Sequence, residues 1–361
     1  MASLRVASGD ALQRIKFHSE NMYREVRNSL TFNSLTAGKD TSSFIKMNQP
    51  PLNTGFIQSF SHGKGTGIKD RFAMSLKLEN APVKNGSRDL LTGQEEALTI
   101  NTFDHELDMY EQEVAAGTIL SDLRSFVDLH AESRRALTDH ITDQIDTLYF
   151  DALYTDSAPT DFVFQAFSTD DVTTATSEPA AGAVTADATL TPQYLARISQ
   201  IARTGDSDSG VTNMHRMEKV AIAGVGKVFV LLVPPTVATE LRINADYADY
   251  RKRVEVLRGT PIFDLAVAQV EDILIIESEK VAKDTTNSIA RCTLLGKSGL
   301  VVSLARPEGM GVVIKEVTKN AGREDYLIGR WFVKVSKPKF NNSEGTLKDY
   351  GSLSVLVRYG K

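Results

Sequence analysis

The chain has 361 residues, 42% of them apolar and 24% charged, with a net charge of −5 and a single cysteine, Cys292. That length and apolar content bury a large core, which excludes a mainly disordered state and leaves room for about two or three domains. The acidic balance excludes a chain-wide basic footprint for nucleic acid, and the lone cysteine excludes an internal disulfide or a Cys-rich zinc site.

Arg5, Arg14, Lys16, Arg24 and Arg27 punctuate the first thirty residues, with no apolar stretch between them long enough for a signal peptide. The most apolar run, 228–233, has six residues, whereas a membrane span needs about 20. A protein made in a cytoplasm, or in something assembled there, is expected.

Residues 1–59 are polar and broken by Gly38, Pro50, Pro51 and Gly55. A short amphipathic helix is predicted over about 10–30, followed by an extended arm. Residues 60–115 read as a long hairpin. Gly63, Gly65 and Gly67 open it, 71–78 and 97–107 alternate like strands, and the tip from 80 to 93 holds Pro82, Asn85-Gly86 and Thr92-Gly93. A two-stranded ribbon is marginal alone in water, so this one implies a partner surface.

The strongest periodicity lies at 121–154. Leu123, Val127, Ala131, Leu137, Ile141, Ile145, Leu148 and Ala152 form one helical stripe, with Arg134 interrupting it and Ser121 as N-cap. Neither Pro nor Gly occurs there, which predicts a helix of about 50 Å. Residues 155–189, rich in Thr, Ala, Asp and Ser, read as an exposed connection with one strand at 162–167.

Thr191 and Pro192 start a second helix, with Tyr194, Ile198 and Ile201 inward. A buried strand follows at 227–233. Pro234 and Pro235 stop it, and a helix begins near Thr236 with Leu241 inward. Further strands are predicted at 262–270, 272–277, 291–295, 299–305, 311–317, 329–335 and 353–359. Strand-rich text after one very long helix reads as α+β.

Charge is segregated. Residues 100–156 hold 13 acids and 3 bases, a net −10, whereas 310–361 hold 10 bases and 5 acids, a net +5. The first thirty residues are net +2, with five bases and three acids. Such runs are ordinarily solvated faces. The alternative is an acidic surface of one subunit meeting basic surfaces of its neighbours.

Catalytic motifs fail on spacing. His105-Glu106 would need a second histidine at 109, where Met109 stands. Gly296-Lys297-Ser298 would need a glycine at 291, which is Arg291, and Gly226-Lys227 fails through Ala221 and Val228. Both read as glycine turns between strands. Gly63-Lys64-Gly65-Thr66-Gly67 reads as a hinge. His18, His62, His130, His140 and His215 have no metal-ligand spacing. Cys292 and Trp331 sit in apolar runs and read as core. No cofactor or metal is expected.

From residue 228 onward the text resembles a known family. Phe229-Val230-Leu231-Leu232-Val233-Pro234, then Leu241-Arg242 and Tyr250-Arg251, resemble the strand–proline–helix passage of tailed-bacteriophage major capsid proteins. Gly259-Thr260-Pro261-Ile262-Phe263, Ile275-Ile276-Glu277-Ser278 and Leu294-Leu295-Gly296-Lys297 are similar to that family's next strands. Trp331, Lys337, Lys339-Phe340-Asn341 and Asp349-Tyr350-Gly351 resemble its closing section. The branch it is most similar to is that of short-tailed phages.

The resemblance implies the tailed-phage capsid fold, of α+β class. Its parts would be an N-terminal arm at 1–59, an extended loop at 60–105, and a peripheral domain at 106–189 containing a spine helix at 121–154. An axial domain would follow at 190–305, with a peripheral return at 306–361. It implies a non-enzymatic shell protein of the virion. Its partners would be itself, in hexamers and pentamers, together with portal, scaffold and decoration proteins and non-specifically held double-stranded DNA, with no membrane. Lys69, Arg71, Lys84, Glu106, Asp108, Lys337 and Lys339 are the candidate contacts between subunits. Two alternatives stand beside this reading: an encapsulin-like compartment shell and a soluble α+β enzyme.

Overall fold

A computed structural model describes residues 57–62, 69–75, 100–118, 129–154, 161–166, 172–175, 177–185, 188–205, 214–222, 226–244, 266–305, 312–319, 324–341 and 345–360. The strands before the first described helix are β1 (Ile57–His62), β2 (Lys69–Ser75), β3 (Ile100–Glu106) and β4 (Asp108–Thr118). Helix α1 (Leu129–Tyr154) leads to β5 (Phe162–Gln165) and β6 (Val172–Ala175). Helix α2 (Pro192–Thr204) precedes β7 (Val220–Ile222) and β8 (Gly226–Val233), and α3 (Pro235–Ile243) precedes β9 (Ala266–Val270) and β10 (Ile273–Glu277). The chain continues through β11 (Lys283–Asp284), β12 (Ile289–Leu295), β13 (Leu300–Ala305), β14 (Val312–Lys319) and β15 (Glu324–Ser336). It ends with β16 (Lys339–Asn341), β17 (Leu347–Asp349) and β18 (Ser352–Arg358).

Two sheets organise the fold. The larger runs β6-β5-β18-β12-β8-β10-β9, with β11 beside β12 and β7 beside β8. Its central strands are apolar on both faces, as a strand covered on both sides must be. Val228, Val230 and Leu232 of β8 enter one apolar cluster with α1, while Phe229, Leu231 and Val233 enter another with α2 and α3. The expected buried strand and the helix after Pro234-Pro235 are therefore both present. So is the cap of α2: Thr191 accepts the Tyr194 N–H at 3.1 Å, and Pro192 occupies the first turn.

The smaller sheet runs β1-β13-β15-β14, with β4 on the other side of β15. Leu327, Trp331, Val333 and Val335 of β15 turn inward to the α1 cluster. Helix α1 lies beneath both sheets, joining Leu137 and Ile141 to Tyr149, Phe150 and Leu153 in one cluster.

The structure corrects the expected stripe on α1. Ala131 is exposed and Leu148 only half-buried, whereas Tyr149, Phe150 and Leu153 are buried. Leu123, Val127 and Ser121 lie outside the described residues. The helix covers a wider arc toward its C-terminal end because a second sheet meets it there.

The sheet pairings run across the expected segments of the chain. Strands β5 and β6, placed with the peripheral segment 106–189, and β18, placed with the return 306–361, join β8, β10 and β12 of the expected axial segment. Strand β13, placed at the axial end of 190–305, pairs with β1 and β15 instead. Continuous apolar runs name a buried strand but not its neighbour. Strand β1 spans the expected arm–loop boundary at 59/60.

Candidate functional site

Strands β2 and β3 pair only with each other among the described residues, in register from Lys69 opposite Glu106 to Ser75 opposite Ile100. This is the stem of the expected hairpin; residues 76–99, including Lys84, lie outside the described residues. Arg71 stands opposite Asp104 in that register. Phe103 meets the edge of the Phe340 ring at 6.4 Å and ties the stem to β16.

The part of the expected hairpin past 107 serves a different purpose. Strand β4 leaves the ribbon and pairs with β15 over ten register positions. Glu111 lies directly opposite Arg330 and accepts two hydrogen bonds from its guanidinium, at 2.9 and 3.1 Å. The Arg330 hydrogen bond holds the Glu111 carboxyl below its ordinary range, and the same contact holds Arg330 up. Lys334 donates to Asp108 at 2.9 Å. Part of the acidic segment is thus matched to the basic C-terminal segment inside one subunit. Asp108, expected between subunits, has this partner at home.

Lys337 requires a correction. Expected at a subunit contact, it is 2% exposed and ion-paired to Asp349 at 2.8 Å. Beside it Lys348 donates to Asp161 at 3.1 Å, and the Asp349 backbone N–H donates to the other Asp161 oxygen at 3.2 Å. Burial pushes the Lys337 ammonium down to about 8 despite Asp349, and burial likewise pushes the Asp161 carboxyl up against the pull of Lys348. Lys339 stands on β16 opposite Asp349 in the register with β17, and Glu106 is exposed at the end of β3. Nothing in the sequence marked Asp161 or Lys348, since isolated Asp and Lys are ordinarily surface residues.

The chemistry of an enzyme site is not assembled by the candidate motifs. His105 and Met109 lie on strands β3 and β4, not on one helix face. Gly296-Lys297-Ser298 is the turn between β12 and β13. Cys292 is fully buried in β12, and burial pushes its thiol far up. Among the described residues no group of His, Cys, Asp or Glu is placed to hold a metal ion.

A family model for "Phage capsid protein" matches residues 5–357. A search of curated protein sequences returns no match. Among solved structures, the fold is similar to the capsid of Ralstonia phage GP4, with a TM-score of 0.65, 20% identity, and 85% of this chain and 88% of that one covered. It is similar to the head structure of Helicobacter pylori bacteriophage KHP40, with a TM-score of 0.64, 12% identity, and 92% and 91% covered. The cyanophage Pam1 capsid matches with a TM-score of 0.60, 13% identity, and 90% and 98% covered. At these identities the structures carry the fold, and the family match over nearly the whole chain carries the membership. The chain belongs to the phage capsid protein family: it is a major capsid protein, of the α+β tailed-phage capsid fold.

Proposed function

We propose that many copies of this chain close into an icosahedral shell of hexamers and pentamers around a double-stranded DNA genome, in the bacterial host cytoplasm. The role is structural rather than catalytic. Portal, scaffold and decoration proteins are its further partners, and DNA is held without sequence preference.

The observation that carries the reading is the β2–β3 stem, seven residues against seven, forming a sheet of its own among the described residues. Such a ribbon is weak alone and becomes stable when laid on another surface. Closed point-group symmetry supplies that surface in every copy. Lys69, Arg71, Lys84, Glu106 and Lys339 are the proposed contacts. The net −10 of 100–156 suits a shell that holds DNA without adhering to it.

The test replaces 76–99 by a short turn in the full chain and compares its sedimentation with the wild type. Closed particles from the wild type and only small oligomers from the shortened chain are expected. Closed particles from both would overturn the role of the ribbon.

A further inference from the structure

Besides the passage through α1 from β4 to β5, two passages of chain cross between the sheets among the described residues, and they meet at one place. Strand β12 passes to β13 through 296–299, and β15 passes to β18 through Lys337, the β16–β17 hairpin and 350–351. The Gly296 N–H donates to the Gly351 carbonyl at 2.8 Å. A Cβ on Gly299 would collide with that same carbonyl oxygen. Gly351 has φ 73°, and a Cβ there would lie 2.6 Å from the Lys297 carbonyl oxygen. The two crossings therefore touch backbone to backbone, with no side chain between them to give way.

The buried charges lie along the same crossing. Lys337 and Asp349 bracket the β16–β17 hairpin, and Lys348 ties the hairpin to Asp161 at the entrance of β5. The two lysines and two aspartates cancel, and their side chains are at most 4% exposed. The Tyr350 N–H donates to the Pro338 carbonyl at 3.0 Å, and the Ser354 N–H to the Asp161 carbonyl at 3.1 Å. His215 Nε2 lies 3.0 Å from the Phe340 carbonyl oxygen, and its ring meets Tyr350 edge-on.

We infer that this junction, acting with α1, fixes the angle between the two sheets, and through that angle the curvature of the shell. The inference rests on the shell-building role proposed above. A crossing made of solvated loops tolerates many angles. One packed backbone on backbone does not, because a packed interior has no slack to redistribute. Buried ion pairs add direction, since each charge has a defined partner and no water to replace it. A small change of angle, repeated in every subunit, becomes a different radius or a failure to close.

The test uses the full chain carrying Lys337→Met and Asp349→Leu together, which removes a pair without leaving a lone charge. Assembled shells are sized by cryo-EM beside the wild type. The variant is expected to give a folded circular dichroism spectrum and at least a twofold broader spread of diameters, with open or tubular forms. A folded variant with the wild-type diameter distribution would overturn the inference. Failure of the wild type itself to form shells would instead overturn the shell-building role.

If the double variant does not fold, amide exchange on the wild-type chain decides. The N–H groups of Gly296, Lys297, Tyr350 and Ser354 are expected to exchange within about tenfold of those in β8, the signature of a shared core. Exchange more than about a hundredfold faster would make the crossing a loose loop and overturn the joint.

Discussion

The two sheets of this subunit use their faces differently. The larger one is apolar on both faces of its central strands, with α2 and α3 on one side and α1 on the other. The smaller one turns Leu327, Trp331, Val333 and Val335 to α1 but carries Glu111–Arg330 and Lys334–Asp108 pairs among its remaining side chains. A sheet covered on both faces holds its own shape. A sheet covered on one, fed by a ribbon that pairs with nothing else described, is suited to being completed by neighbours. Substitutions in the two regions therefore have different consequences.

The largest effect is expected where α1 joins both sheets. Ile145→Asp puts an unpaired charge into the shared cluster, at a cost of several kcal/mol against a total of about 5–15. No folded protein should accumulate; a soluble, assembling variant would contradict the shared core. In the larger sheet alone, Leu231→Ala should cost about 2–5 kcal/mol by denaturant melting, without preventing assembly at low temperature.

Next in size is the buried charge set. Lys337→Met alone leaves Asp349 unmatched and should cost about 3–5 kcal/mol, while adding Asp349→Leu should recover most of that loss. Equal melting of the single and double variants would mean that the two charges are not coupled.

The same set gives a pH dependence. The Lys337 amine is held down to about 8, below its value in the unfolded chain. Between about 8 and the ordinary lysine value of about 10.4 the unfolded chain therefore binds the extra proton, so the contribution of this group to stability rises with pH in that window. Asp161 is held up, so its contribution favours the fold in acid and is lost as pH rises through its folded value. Chemical melts at pH 7.5 and 10 should diverge less in Lys337→Met/Asp349→Leu than in the wild type.

The smallest effect is expected on the smaller sheet's charged side chains. Glu111→Gln should leave subunit melting unchanged within error, because both it and Arg330 are well exposed. Salt at 1 M, with a Debye length of about 3 Å, should slow association without unfolding the subunit. An assembly rate indifferent to salt would make these charges solubilising only.

Much of the larger sheet was legible because its signals are local. The run 228–233 and the Thr191-Pro192 cap each carry their own instruction. Residues 108–115 read as part of the hairpin because a sequence does not name a strand's mate, and β15 lies some two hundred residues away. The segregation of charge suggested contacts between subunits, yet Asp108 and Glu111 find Lys334 and Arg330 within one. Asp161 and Lys348 were invisible for a related reason: they are far apart in sequence, and only the docking of the β16–β17 hairpin on the larger sheet brings them together. The capsid reading came from the order of short motifs, which survives where the pairing of strands cannot be read.

The central claim is that the larger sheet is the subunit's own core while the ribbon belongs to an assembled surface. A cryo-EM map of the shell built by the full chain tests it most directly. The account predicts density for the 69–106 ribbon lying across an adjacent subunit, with the larger sheet retaining the strand order given above. A ribbon folded back onto the core of its own subunit, with no neighbour beneath it, would contradict the account.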